Sequence, residues 1–141
     1  MFTARILLKS SNFEVQMIEV LIVGTGGFIG SVLRYGLIQI FSQLLSNPNF
    51  PWGVLAANIL GSLSIGVLAG LTESRNMMSA EIRLFLFMGL LGGFTTFSSI
   101  TNDTLSLFRS SQFILAFANI GVTVFLGMIF VTLGYLLARS N

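Results

Sequence analysis

The stretch that decides the fold is FLFMGLLGGFTTFSSITNDTLSLF, Phe85 to Phe108. It opens as an apolar helix, meets the adjacent glycines Gly92 and Gly93, and continues through Thr95, Thr96, Ser98 and Ser99 to Asn102 and Asp103 before turning apolar again. Its flanks suit a membrane span, which needs about 20 mainly apolar residues. Unwound backbone is tolerated at membrane depth only where it is buried in protein or lines a water-filled cavity. The segment therefore predicts a transmembrane helix broken near Gly92–Thr96, with the break turned away from lipid. Freed carbonyls at such a break are hard oxygen ligands suited to a small cation. Thr95, Ser98, Ser99, Asn102 and Ser106 recur at spacings of three and four and set a stripe of hydroxyls and an amide on one helix face. Uncharged donors of that kind suit an anion that must enter and also leave.

The rest of the chain has the same character. Of 141 residues, 54% are hydrophobic and 9% charged, against about 25% charged in a soluble domain. The 14 phenylalanines and 15 glycines fit a membrane protein. With no cysteine and no histidine, disulfides, thiol chemistry, zinc sites and imidazole acid–base catalysis are excluded, and no enzyme activity is expected. A net charge of +2, thinly scattered, argues against nucleic acid as a partner.

Four segments are long and apolar enough to span: about Ile18–Leu44, Trp52–Leu71, Ile82–Phe108 and Phe113–Ala138. Turn chemistry separates them at SNPNFP (46–51), TESRNMMSAE (72–81) and RSSQ (109–112). Residues 1–16 read as a loose or weakly amphipathic tail, and Met17 is an alternative start to Met1. Residues 17–141 form one channel-sized membrane domain, so the fold class is all-α integral membrane with four transmembrane helices.

Charge sets the expected orientation. Arg75, Arg83 and Arg139 fall on one side, joined by Arg5 and Lys9 if the tail is present, while Arg109 and Arg34 fall on the other. Three against two is a weak bias under the positive-inside rule. It predicts insertion both ways and pairing as an antiparallel, dual-topology homodimer.

Small residues repeat at helical spacing: Gly26 and Gly30 in the first span, Asn58, Ser62, Gly66 and Gly70 beside Gly53, Ala57 and Gly61 in the second, and Asn119, Thr123 and Gly127 in the fourth. Each row is open to two readings, close helix packing or the wall of a polar path. Arg34 is the embedded cation; Glu19 and Asp103 lie near span ends, where neither suits a midplane proton relay. Phe97 reads either as packing or as a ring whose positive edge faces the stripe.

Three motifs in this order, GGFIGSVLRY, PWGVLAANILGS and GLLGGFTTFSS, resemble those of the Fluc (CrcB) family of fluoride channels, and the likeness extends from Met17 over essentially the whole chain. The resemblance implies a passive, fluoride-specific channel of the bacterial plasma membrane, built as an antiparallel homodimer. It implies that Asn58 donates to fluoride, that Phe97 lines the pore edge-on, and that Ser98, Ser99 and Thr123 belong to a polar track. It further implies that the carbonyls of Gly92 and Thr95 hold a structural sodium ion, and that Arg34 occupies a vestibule or interface. Ile100 stands where the family has a second pore phenylalanine and lacks a positive ring edge. The rival readings are a small proton-coupled drug exporter, which needs a central carboxylate, and a membrane subunit that conducts nothing.

Overall fold

The computed structural model describes residues 2–45, 49–75 and 78–139, with side chains from Glu14 onward except at position 75. The side chains of Arg5, Lys9 and Arg75, counted above for orientation, lie outside the described residues. The described residues form helices α1 (Phe2–Leu44), α2 (Trp52–Arg75) and α3 (Ala80–Arg83), a π-helical segment (Leu84–Leu91), then α4 (Gly92–Phe94), α5 (Phe97–Arg109) and α6 (Phe113–Arg139). Four stretches are long and apolar enough to cross a membrane: Glu14–Leu44, Trp52–Ser74, Ala80–Arg109 and Phe113–Arg139. The α1 helix includes residues 2–16, the segment read from sequence as a tail.

Two helix pairs carry the packing. In the first, α1 lies on the π-helical segment and α4. Gly26 allows this approach, because a Cβ there would sit 2.7 Å from the Phe85 carbonyl oxygen and 2.9 Å from Gly89 Cα. One turn on, a Cβ at Gly30 would run into the Leu90 carbonyl. In the second pair, α2 lies on α6. A Cβ at Gly66 would come 2.9 Å from the Tyr135 amide, and one at Gly134 would come 2.9 Å from the Val67 amide, so each helix offers the other a groove. Small residues make such backbone approach possible, and in lipid close packing is a main source of helix association. At one end of this second pair the Tyr135 hydroxyl donates to Glu73 Oε2 and receives a hydrogen bond from Arg139 Nη1 at 3.3 Å. The α5 helix packs on α6 and so joins the third span to the second pair.

The outer surface is apolar, as a lipid-facing belt must be: Phe28, Leu44 and Ile114 are 71%, 73% and 85% exposed. A set of polar side chains lies inside instead, with Asn58, Thr96, Thr104, Asn119 and Thr123 all buried.

Short-range chemistry ends the helices. Ser79 caps α3 by accepting from the Ile82 amide at 3.4 Å. At the end of α5 the chain reverses through Ser111, whose φ of 59° is left-handed. The Ser111 amide reaches Phe108 O at 3.0 Å and the Gln112 amide reaches Leu107 O at 2.9 Å, the paired bonds of a helix-ending turn in which glycine is the usual residue. Ser111→Gly is expected to stabilise the protein by about 0.5–1 kcal/mol by relieving the Cβ clash of that conformation. The check is a rise in the thermal midpoint of detergent-solubilised protein.

Candidate functional site

The site is built at the two extended residues between α4 and α5. Through Gly93 the chain is helical, and then Thr95 (φ −89°, ψ 154°) and Thr96 (φ −154°, ψ 120°) are extended. Gly92 and Gly93 are themselves helical. A Cβ at Gly93 would meet Gly27 Cα at 3.0 Å, so this glycine allows close approach to α1. The extended conformation belongs to β-branched threonines, which tolerate it well.

Three contacts hold the extended residues. Asn58 on α2 accepts from the Thr96 amide through Oδ1 at 2.9 Å and donates to the Thr96 carbonyl from Nδ2 at 3.4 Å. The same amide group donates to Val54 O at 2.9 Å. Thr96 caps α5, its Oγ1 accepting from the Ser99 amide at 3.2 Å, and it shares hydrogen bonds with the hydroxyls of Ser98 (3.0 Å) and Ser99 (3.3 Å). Arg34 on α1 donates from Nη1 to the Thr95 carbonyl at 3.3 Å. Below Thr95, a Cβ at Gly61 would overlap its methyl group, so glycine makes room for the turn.

This arrangement reroutes two donors. In a continuous helix the Thr96 amide would serve the Gly92 carbonyl and the Ser99 amide would serve that of Thr95. Here the first goes to Asn58 Oδ1 and the second to Thr96 Oγ1. Two carbonyl oxygens three residues apart, on exposed Gly92 and half-buried Thr95, have therefore lost their ordinary helical donors and are open to another partner.

The residues singled out from sequence fall into three places. Arg34, Asn58, Thr95, Ser98 and Ser99 converge on this turn, next to Gly92. Phe97, at its edge, is 72% exposed and projects from the chain's own packing. Ile100 faces inward at 6% exposure, and Thr123 sits in a second polar cluster between α5 and α6. There Asn119, 1% exposed, donates from Nδ2 to Ile100 O at 3.2 Å and to Thr104 Oγ1 at 2.9 Å. The Thr123 hydroxyl donates to Asn119 O at 2.6 Å. Since Ile100 is part of this packed interior, Ile100→Ala is expected to cost about 2–4 kcal/mol of stability. Chemical or thermal unfolding measures it, and an unchanged stability would place the side chain outside the core.

Sequence reasoning did not single out Thr96, the residue that ties Asn58 to the serine hydroxyls. The only sign available was its place as a threonine three residues before Ser99, an N-cap spacing. It also undervalued Asn119, whose Oδ1 is buried without a hydrogen-bond partner among the described residues, as is Oδ2 of Asp103. Asp103 borders a cavity of about 170 Å³ lined by Ile38, Phe41, Phe50 and Trp52.

Four apolar spans with amides and hydroxyls gathered inside them define a multi-pass integral membrane protein with a polar interior. Residues 21–135 match the family described as CrcB-like protein, Camphor Resistance (CrcB). The chain belongs to the CrcB family. It is 56% identical over 93 residues to the fluoride-specific ion channel FluC of Agrobacterium fabrum, covering 66% of this chain and 74% of that protein. It is 44% identical over 124 residues to FluC of Rhizobium etli, covering 88% and 98%, and 40% identical over 124 residues to FluC of Clostridium perfringens, covering 88% and 96%. These relatives are bacterial, and the chain is a multi-pass protein of a bacterial membrane.

Proposed function

We propose that this protein is a fluoride-specific channel that lets fluoride leave the cell passively, working as an antiparallel, dual-topology homodimer. The observation that carries the reading is the turn at Thr95–Thr96. Around it Asn58, Thr96, Ser98 and Ser99 gather uncharged hydrogen-bond donors inside a span whose outer faces are apolar. Donors of this kind can replace part of an anion's hydration shell without binding it too tightly to release. The names of the relatives supply the identity of the anion. The broken third span has a stated purpose in this reading: it exposes those donors to a path. Phe97, exposed at the edge of the polar turn, is left by its own chain's packing free to meet a second copy. Its edge then borders the path.

Fluoride entering as HF ionises inside and is trapped. An inside-negative potential then drives the anion out through an open path, with a gain of about 2.3 kcal/mol per charge for each 100 mV. No coupling carboxylate is needed. A structural sodium ion fits the same turn: the Gly92 and Thr95 carbonyls, deprived of helical donors, are hard oxygen ligands, and a second copy supplies an equivalent pair. Such an ion supplies fixed positive charge at the centre of the assembly.

The test is fluoride efflux from proteoliposomes, followed with a fluoride electrode under a potassium–valinomycin potential and compared with chloride. Rapid fluoride release with chloride retained is the expected result. Equal release of the two anions, or none of either from folded protein, overturns the proposal.

A further inference from the structure

A half-buried cation and an underused carbonyl meet at the Thr95 oxygen. Arg34 is half-buried in α1, and its described partner is the carbonyl of Thr95 rather than a carboxylate. A carbonyl oxygen has two lone pairs. The guanidinium takes one of them at 3.3 Å, and the Ser99 amide, which would ordinarily take the other, is bound to Thr96 Oγ1 instead. Any metal ion that uses the remaining lone pair shares its ligand with a permanent positive charge.

We propose that Arg34 is the specificity-determining residue of this cation site, admitting a monovalent ion and rejecting divalent ones by charge. The inference rests on the sodium reading given above and assigns the ion's selectivity to a residue that does not itself touch the ion. Coulomb repulsion scales with the charge of the incoming ion, so the guanidinium penalises a divalent cation twice as strongly in free energy as a monovalent one. Carbonyl oxygens alone do not supply this discrimination, since calcium takes the same hard ligands and gains more from them. The guanidinium is suited to the role because it is planar and donates from a fixed fork. The position follows from packing: Gly30 lets α1 approach the third span, and Arg34 follows one helical turn later on the same face.

The experiment measures the thermal midpoint of purified, detergent-solubilised protein against sodium chloride and against calcium chloride at constant ionic strength, held with an organic cation chloride. Wild type, Arg34→Gln and Arg34→Lys are compared. Wild type is expected to be stabilised by sodium and not by calcium at the same concentrations. In Arg34→Gln, which keeps a donor but loses the charge, the sodium half-point falls about tenfold and the calcium half-point about a hundredfold, the square expected for a doubled charge. Arg34→Lys keeps the wild-type preference. If Arg34→Gln and wild type share the same half-points, the charge sets nothing and the inference fails while the sodium reading stands. If Arg34→Gln does not fold, wild type and Arg34→Lys still decide: calcium stabilising either of them as tightly as sodium overturns the inference. If sodium stabilises neither wild type nor variant, the sodium reading falls and the inference with it, whereas fluoride flux measured in parallel reports separately on the channel.

Discussion

Asn58→Asp is expected to abolish fluoride efflux and to lower stability at the same time. A carboxylate only accepts hydrogen bonds, so the bond from the Thr96 amide at 2.9 Å survives. The two donations from Nδ2, to Val54 O at 2.9 Å and to Thr96 O at 3.4 Å, do not. A carboxylate then faces two carbonyl oxygens in a buried place with no proton between them, and that repulsion lowers stability. The charge also repels fluoride. Asn58→Leu separates the two effects, since it removes the pin without adding charge. It should destabilise the protein by about 1–3 kcal/mol through the orphaned Thr96 amide. Efflux from liposomes and thermal midpoints measure both variants, and wild-type flux in Asn58→Asp would remove this residue from the path. Both protons of the Asn58 amide are already used, so fluoride can take one only by displacing a neighbour. The bond at 3.4 Å to the Thr96 carbonyl, the longer of the two, is the one to give way.

Gly30→Val is expected to be equally severe for a different reason. Its side chain would be driven into the Leu90 carbonyl and towards the Phe94 amide, 2.8 Å away. Both obstacles are backbone, which cannot swing aside as a side chain would. Overpacking in a tight interior costs about 1–3 kcal/mol and sometimes more, and here relief requires separating α1 from the third span. That separation also carries Arg34 away from Thr95. Loss of folded protein in detergent, or a fall in midpoint matched by loss of flux, is the expected outcome. Gly24, where a Cβ meets nothing within 4 Å, is the control, and Gly24→Ala should be close to neutral.

The spans were legible because hydropathy reports on the bilayer directly. Their ends were less so: α2 continues to Arg75 and the third span starts at Ala80, where polar residues extend the helices past their apolar centres. The turn in the third span was legible as a region but not in detail. Gly92 and Gly93 drew attention as helix breakers, yet they are helical, and the extended residues are the threonines that follow. What pairs with the extended Thr96 amide there is a side chain 38 residues earlier, and local propensity carries no trace of such a contact. The rows of small residues were equally ambiguous. Gly26, Gly30 and Gly66 prove to be packing surfaces, whereas Asn58 at the head of one row makes the pin. Period alone does not distinguish these uses, because both place a small or polar residue on the inner face of a helix. Thr123 shows the same limit, its hydroxyl being spent on the carbonyl one turn back.

The pairing of α2 with α6, and of α1 with the third span, has a consequence for how the molecule is made. Helices enter a bilayer first and associate afterwards. As the chain is synthesised, α2 emerges second, but the groove at Gly66 on its own surface is filled only when the last helix arrives. In the meantime the Asn58 amide stands in hydrocarbon with only the Val54 carbonyl of its own helix beside it. Arrival of Thr96 relieves it, and arrival of α6 closes the seam. Biogenesis therefore has an exposed interval in the middle of the chain, when a polypeptide stopped after its second helix presents a half-satisfied amide and an open glycine face to the bilayer.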